Sequence, residues 1–572
     1  MTIARPMVRG IARPMARPLQ GGGYPAGTIF VSKSTANGFG IGDDSRTATE
    51  AQNRSTPWLT ISKAVASAPK GSLVVINDGS YSGLELGANS YVLMTNSQRL
   101  DFRAHRQGQV TWLGTVSTAI LRYNSVTAAD VSTITGMVFD AASVSDYALL
   151  DNSFGGVIHT LNFVGCEFRN TRLHGGTGTT TALKLNLLGC IFSSATRGYL
   201  SFTAMGANAA VNIVGGSSTI TATNNATPSI NLKATVAGSS VSITDGFACD
   251  VTLSGALTGT GAHDGIVLTN ISTVTITDNT IRSLGHPGSR SSGCVVVTAD
   301  AAIDVAATIT NNVVYNETTG GYGIVAGADG TSSGNGHVID PIVNGNTITA
   351  VPANQVTPIH GIILGFNIGG MALRNTVVGC GLALIQKMNT VAGALFALNT
   401  IRDCYSLGMY AKGAVNTRFV HNSVYASALG GSNSLVVMQS QADDSTTPST
   451  GIEFTDNAIQ VAVNILSKFV NVGSTSDATF AGNLYFSNFT LPANPFTYQG
   501  SSYASVAAWA AAKEATAVSG DPKFVDAAND NFRLQSGSAA IGAGVVASGV
   551  PTDKAGVAFA SPPSISAYEY VA

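Results

Sequence analysis

The sequence predicts an all-β fold, a right-handed parallel β-helix: a solenoid of stacked coils with small helical caps at both ends. Three observations predict it. A short phrase centred on Asn returns at coil-like intervals, the columns around that Asn alternate between apolar and mixed residues, and the composition is one of strands and tight turns. The 572 residues exceed a single hydrophobic core, so the chain is multidomain or elongated by repetition. Charged residues make up 11%, against roughly 25% in an average soluble protein. Gly alone fills 64 positions, as turn-rich folds require.

The phrase reads DNTI, NNVV, GNTI, RNTV, LNTI, HNSV and DNAI, with its Asn at 279, 312, 346, 375, 399, 422 and 457. Intervals of 23 to 35 residues suit coils whose loops vary in length. Two residues after each Asn stand Ile281, Val314, Ile348, Val377, Ile401, Val424 and Ile459. Three residues before it stand Ile276, Ile309, Val343, Ala372, Phe396, Phe419 and Phe454. One position beyond the first column the residues become mixed: Arg282, Tyr315, Thr349, Val378, Arg402, Tyr425 and Gln460. Inward apolar beside outward mixed is the period-two pattern of a strand with one buried face. The Asn itself is expected at the corner between two strands, in the left-handed conformation, with its amide hydrogen-bonded from coil to coil. It carries no catalytic expectation.

The same stacking explains the cysteines. Cys380 and Cys404 each follow a phrase Asn by five residues, and Cys166 and Cys190 match in VGCEF and LGCIF. They are expected as stacked buried thiols. No CxxC or Cys/His cluster is present, so no zinc site is implied.

Both ends need caps against edge pairing. Near the start, Thr56 is expected to cap a helix from Pro57, with Trp58, Ile61, Val65 and Ala68 on one face. Near the end, residues 504–516 (ASVAAWAAAKEAT) form a second expected helix.

Ahead of the solenoid lie the tetrapeptides ARPM, VRGI, ARPM and ARPL, which space Arg5, Arg9, Arg13 and Arg17 every four residues. That spacing leaves no apolar stretch of about 7–15 residues for a secretory leader. Pro6, Pro14 and Pro18 prevent a regular helix, so an extended docking arm is expected. The formal charge of −2 gives no case for nucleic acid or an anionic membrane surface. No apolar run reaches about 18 residues, so no membrane insertion is expected. The chain then divides into an arm (1–23), an N-terminal cap with the first coils (24–110), the β-helix (111–490) and a C-terminal capping region (491–572).

Two phrases carry a resemblance. GTIFVSKSTANGFGIGDD, followed by PWLTISKAVASAPKGSLVVINDGSYSG, resembles the opening of pectate-lyase-like β-helix proteins. GDPKFVDAANDNFRLQSGSAAIGAG, with ISAYEY at 565–570, is similar to their closing segment. With the repeats, this resemblance covers residues 27–572. Neither phrase contains catalytic groups, so neither identifies a reaction. The arginine arm resembles those of bacteriophage tail proteins. Together the two imply a tailspike or receptor-binding protein, located on the virion or otherwise extracellular. It would be a homotrimer attached to tail or baseplate proteins through residues 1–23, by way of Arg5, Arg9, Arg13 and Arg17. Its expected ligand is bacterial surface polysaccharide, O-antigen or capsule, bound and depolymerised. The alternatives are a non-enzymatic fibre, adhesin or decoration protein with a β-helix shaft, and a secreted bacterial polysaccharide lyase.

Segments 283–292, 316–322, 327–341 and 350–360 break the repeat in consecutive coils and are expected to build one wall beside an extended glycan. Arg282, Tyr315, Arg402 and Tyr425 of the outward column, with Asp329, are the expected substrate contacts. Glu317, Asp340 and His360 are the catalytic candidates. Hydrolysis needs two carboxylates roughly 5–9.5 Å apart. A lyase needs a base such as His360 beside a uronic carboxylate that Arg or Lys neutralises. The neighbours His263 and Asp264 are set aside, because adjacent strand residues point to opposite faces. The sequence matches neither the basic motifs of alginate-lyase-like β-helices, nor GGxGxD calcium repeats, nor a GxxxxGK phosphate loop, so no cofactor or metal is implied.

Overall fold

The computed structural model describes residues 24–88, 91–94, 99–114, 119–126, 131–141, 150–154, 159–175, 183–195, 199–222, 228–253, 264–283, 293–299, 303–316, 321–327, 337–350, 359–388, 392–427, 433–439, 447–464, 466–546 and 549–572. The fold is a right-handed parallel β-helix. It divides into two compact units, Met1–Gly259 with Asp278–Thr280, and Thr260–Thr277 with Ile281–Ala572.

In the first unit a coil contributes one strand to each of three sheets. Val131–Thr135, His159–Val164, Leu183–Leu188, Ala210–Val214 and Ser240–Thr244 pair in parallel as the first sheet. Met137–Asp140, Glu167–Arg169, Ile191–Ala195 and Ser217–Ala222 belong to the second. Leu173–His174, Leu200–Met205 and Ile230–Ala234 belong to the third. Alternation turns Leu161, Phe163, Leu185, Leu187, Val211 and Ile213 inward, where all are buried. Phe139, Phe168 and Phe192 stack inside, at 5.2 and 4.7 Å between ring centroids. Cys166 and Cys190 are buried free thiols, and burial raises the Cys190 thiol above its usual range.

The first helix, α1, spans Ile61–Ser67 and is capped by Thr60, whose side chain accepts from the Lys63 N–H. The cap expected at Thr56 sits four residues too early. Residue Trp58 bridges to Val31 as a strand would, and its N–H donates to the Phe30 carbonyl at 2.9 Å. The backbone is therefore committed to the sheet up to that point. Asp44 then accepts from the Leu59 and Thr60 N–H groups and the Thr60 hydroxyl, fixing where the helix starts.

In the second unit the phrase columns lie in the register expected of them. Ile276, Ile309, Val343, Ala372, Phe396, Phe419 and Phe454 pair successively along the first sheet. Val314, Ile348, Val377, Ile401, Val424 and Ile459 do so along the second. At the corner between them runs a buried amide ladder. The Asn346 backbone N–H and Nδ2 both donate to Asn375 Oδ1, and Nδ2 also donates to the Ile309 carbonyl. Asn312, Asn375, Asn399, Asn422 and Asn457 repeat that arrangement.

The left-handed residue is the one before each Asn, namely Asp278, Asn311, Gly345, Arg374, Leu398, His421 and Asp456, and likewise Gly482 before Asn483. This corrects the expectation that the Asn adopts it. Bending the chain one residue earlier lets the Asn backbone and side chain point up the stack together. The ladder ends on a carboxylate. Glu514 Oε1 accepts from the Asn483 N–H and Nδ2, while Oε2 accepts from the Tyr485 hydroxyl and Trp509 Nε1. Helix α2, Val506–Ala512, presents it. That helix stops short of the expected 504–516 because Glu514 turns inward.

The chain after residue 540 runs back along the outside of the second unit as a strap. Lys554 Nζ donates to the Asn375 carbonyl and to the Thr376 and Thr400 hydroxyls. The Ala567 N–H donates to Ser423 Oγ, and the Val545 N–H to Asp456 Oδ1. His421 stacks on Phe559 at 4.1 Å. Among the described residues, no helix is long and apolar enough to cross a membrane.

Candidate functional site

In the second unit the third sheet is apolar on both faces. Its strands Gly293–Thr298, Tyr322–Gly327, His360–Gly365, Leu382–Lys387 and Leu407–Lys412 read GCVVVT, YGIVAG, HGIILG, LALIQK and LGMYAK. Inward, Val295, Ile324, Ile362, Leu384 and Met409 lie in register. Outward, so do Val296, Val325, Ile363, Ile385, Tyr410 and Val437, and none is more than 7% exposed. A strand shielded on both sides needs a continuous apolar run instead of alternation. That run is the sequence signal from which this row could have been found.

Polar groups bound the row at both ends of its strands. At the strand starts Tyr322 is in register with His360, and their rings lie 4.7 Å apart. At the strand ends Lys387 is in register with Lys412, each 8% exposed. Neighbouring strands are about 4.8 Å apart, so the two lysine stems leave the same face side by side. The preceding coils hold Gly327 and Gly365 in that column, and a Cβ on Gly327 would lie 1.6 Å from the Gly365 carbonyl oxygen. From His360 to the level of the lysines is about 16 Å along the strand. Burial, and then the charge of Lys387, hold His360 down at about 3. Its imidazole is therefore neutral at physiological pH, and Nδ1 is buried without a hydrogen bond.

The residues singled out in the sequence fall on three different sheets. Arg282 and Tyr315 project from the second sheet, with the guanidinium 5.0 Å from the ring centroid. Arg402, on the same sheet, is held by Asp530 through Nε at 2.7 Å and Nη2 at 3.3 Å. Tyr425 packs against the buried cluster of Phe524, Phe532 and Ile565. His360 is on the third sheet. Asp340 is on the first, exposed, and left-handed at φ 42°. It sits in a bulge made with Pro341, where the pairing register shifts. Gly369 and Gly370 make room for that bulge, since a Cβ on either would collide with the Asp340 carboxylate or the Pro341 ring.

Glu317, Asp329, Arg5, Arg9, Arg13 and Arg17 lie outside the described residues. In chain order Glu317 falls between the second and third sheets and Asp329 between the third and first. The four inserted segments lie largely outside the described residues, and the wall expected of them falls outside with them. Asp264 is a structural group, accepting from the Gly293 N–H at 2.7 Å. Among the described residues, no group of three or more His, Cys, Asp or Glu side chains could hold a metal ion. Lys387 and Lys412 were missed in the sequence because they close two short strands outside the Asn-anchored columns.

No protein-family model matches this chain, and no curated protein matches it. Solved structures with some likeness include a mannuronic acid specific polysaccharide family 6 lyase from human gut microbiota. It has 11% identity and a TM-score of 0.27, covering 74% of this chain and 76% of its own. A PL6 alginate lyase in complex with a trisaccharide has 11% identity and a TM-score of 0.28, covering 80% and 86%. The A-module of the Azotobacter vinelandii mannuronan C-5 epimerase AlgE4 has 9% identity and a TM-score of 0.23, covering 78% and 97%. Likenesses of this strength say nothing about chemistry.

Proposed function

We propose that this protein is a bacteriophage tailspike or receptor-binding protein, a homotrimer that attaches to tail or baseplate proteins through residues 1–23. The side of its β-helix binds bacterial surface polysaccharide, and in the enzymatic form depolymerises it. The observation that carries the glycan reading is on the outer face of the second sheet in the second unit, where part-exposed Arg282 holds its guanidinium 5.0 Å from the ring centroid of part-exposed Tyr315. Aromatic rings and cations are what a sugar face and its carboxylate call for.

Of the two depolymerase chemistries, elimination suits the described groups better, because His360 and the lysines share a sheet while Asp340 lies on another. In elimination a base removes the proton beside the uronic carboxylate, the bond to the leaving oxygen breaks, and a ring double bond forms. His360 would take the proton, and Lys387 and Lys412, about 16 Å along the strands, would hold the carboxylate of a sugar further along the glycan chain. An anion beside Lys387 offsets the charge that weakens His360 as a base. Hydrolysis would instead use Glu317 and Asp340, with Asp329, Arg282 and Tyr315 as sugar contacts, since Arg402 and Tyr425 are engaged by Asp530 and the Phe524 cluster.

The test is incubation of the purified protein with host capsule or O-antigen. Unsaturated sugar products would establish elimination, and new reducing ends without unsaturation would establish hydrolysis. Binding without either product would establish the adhesin. Absence of binding to any host glycan would overturn the reading.

A further inference from the structure

The base of the first unit holds a group of cations that the glycan reading does not use. Tyr24, Phe30 and Phe39 form a small aromatic cluster on the outer face of the first strands, Ile29–Val31 and Leu73–Ile76. Phe30, Val75 and Arg103 lie in register up that face, and His105 follows Arg103 on the same side. Arg54 lays its guanidinium over the Phe39 ring at 4.6 Å and reaches His105 Nε2 with Nη2 at 3.4 Å. The Tyr24 hydroxyl lies 2.7 Å from His105 Nδ1.

These contacts fix where the protons are. A guanidinium can only donate, so His105 Nε2 accepts and the ring proton sits on Nδ1. Nδ1–H then donates to the Tyr24 oxygen, which leaves the phenolic O–H free to donate elsewhere. Burial and then the Arg54 charge lower His105, in keeping with a neutral ring that accepts from Arg54. Arg54 Nε is buried without a partner. Among the described residues the Arg103 side chain makes no ion pair or hydrogen bond, and its charge acts on both Tyr24 and His105. The nearby carboxylates are already engaged. Asp78 accepts from Arg106 and Asn37, and Asp101 Oδ1 accepts from the Thr133 N–H.

We propose that Tyr24, Arg54 and Arg103 form a carboxylate-binding site, supplied in the assembled particle by an acidic side chain of the attachment partner. Two guanidinium groups and one hydroxyl with its proton free to donate offer directional donors suited to a carboxylate. The position argues for the partner, because Tyr24 directly follows the arginine arm in sequence. Only the identity of the partner rests on the attachment reading; binding of a free carboxylate does not.

The probe is glutarate, added to the intact purified chain at ionic strength matched with chloride. Glutarate should raise the melting temperature of the wild type by about 2 °C at tenfold excess over Kd. Arg103→Gln and Arg54→Gln should abolish the shift. Tyr24→Phe, which keeps the ring and therefore the fold, should weaken glutarate binding about tenfold. No shift in the wild type, or the same shift in all three variants, overturns the site. In particle assembly Arg103→Gln should reduce incorporation at least about fivefold with residues 1–23 intact. Incorporation equal to wild type overturns the docking assignment. Failure of the wild type itself to join particles would instead count against the attachment reading, while the glutarate shift still reports on the site.

Discussion

In the first unit Asn162, Asn186 and Asn212 stack on the outer face of a sheet, half-buried. In the second unit Asn312, Asn346, Asn375, Asn399, Asn422, Asn457 and Asn483 stack inside a corner, at most 1% exposed. The outer rungs are joined by single amide bonds, 2.7 Å from Asn186 Nδ2 to Asn162 and from Asn212 Nδ2 to Asn186. Each inner side chain donates back to a carbonyl and forward to the next amide, and its oxygen accepts two N–H groups from the coil before. Water can replace a lost partner outside but not inside. The same residue type should therefore be replaceable in one unit and indispensable in the other.

The largest test of this contrast is Asn399→Ala. It strands the Asn375 N–H and Nδ2, the Ala372 carbonyl and one lone pair on Asn422 in a dry corner. Chemical denaturation should show a loss of about 3–5 kcal/mol, or no folded second unit at all. A loss below about 1 kcal/mol would mean that the corner admits water, and the contrast would collapse.

Next is the end of the inner ladder. Glu514 gathers four donors on two oxygens, so Glu514→Gln turns an NH2 toward donors and leaves at least one unmet. A loss of about 2–3 kcal/mol is expected in the same denaturation measurement. A neutral result would show that the ladder needs no acceptor at its end.

The strap extends the contrast from amides to charge. Burial holds Lys554 down at about 7, against about 10.4 in an unfolded chain. Between those values the unfolded state binds the extra proton, so stability rises with pH and is fully regained above the unfolded pKa. The rise should be about 1–2 kcal/mol between pH 8 and 10, with a ceiling near 1.4 kcal/mol per pH unit. Asp456, raised by burial to about 8, and His421, lowered to about 4, titrate mainly below that window. Subtracting the profile of Lys554→Met isolates the lysine. Parallel profiles for the two proteins would show that Lys554 is not buried as a charge.

The inner ladder was legible in the sequence because a buried column tolerates little variation. Ile309, Val343, Ala372 and Phe396 fall into register from their spacing to the Asn beside them. The left-handed residue was assigned one position late, since Arg374, Leu398 and His421 carry no chemical sign of that conformation. The surface was far less legible. Arg402 and Tyr425 read as open outward residues, yet Asp530 and the Phe524 cluster reach them from about a hundred residues or more further along the chain. No local pattern announces such a contact. The lysine pair was missed for the opposite reason: the corner from Val378 to Leu382 is one residue shorter than that from Arg402 to Leu407, so spacing from the Asn column does not bring Lys387 into register with Lys412.

The smallest effect is also the sharpest discriminator. Thr133 precedes Asn162 in the outer column and Ser242 follows Asn212, so hydroxyls already stand at both ends of that ladder. Asn186→Thr would lose the bonds to Asn162 and Asn212, but both are half-exposed and can turn to water. Threonine is also a better strand former than asparagine, which offsets part of the loss. The net change should lie within about 0.5 kcal/mol. Asn399→Thr makes the identical replacement inside, where the shorter side chain reaches neither the Ala372 carbonyl nor Asn422, and it should cost nearly as much as alanine. Denaturation of the two threonine variants side by side then separates position from residue type. Equal losses in both would mean that stacked amides stabilise this fold as a chain-wide property, whatever face they occupy, and the distinction between the ladders would be wrong.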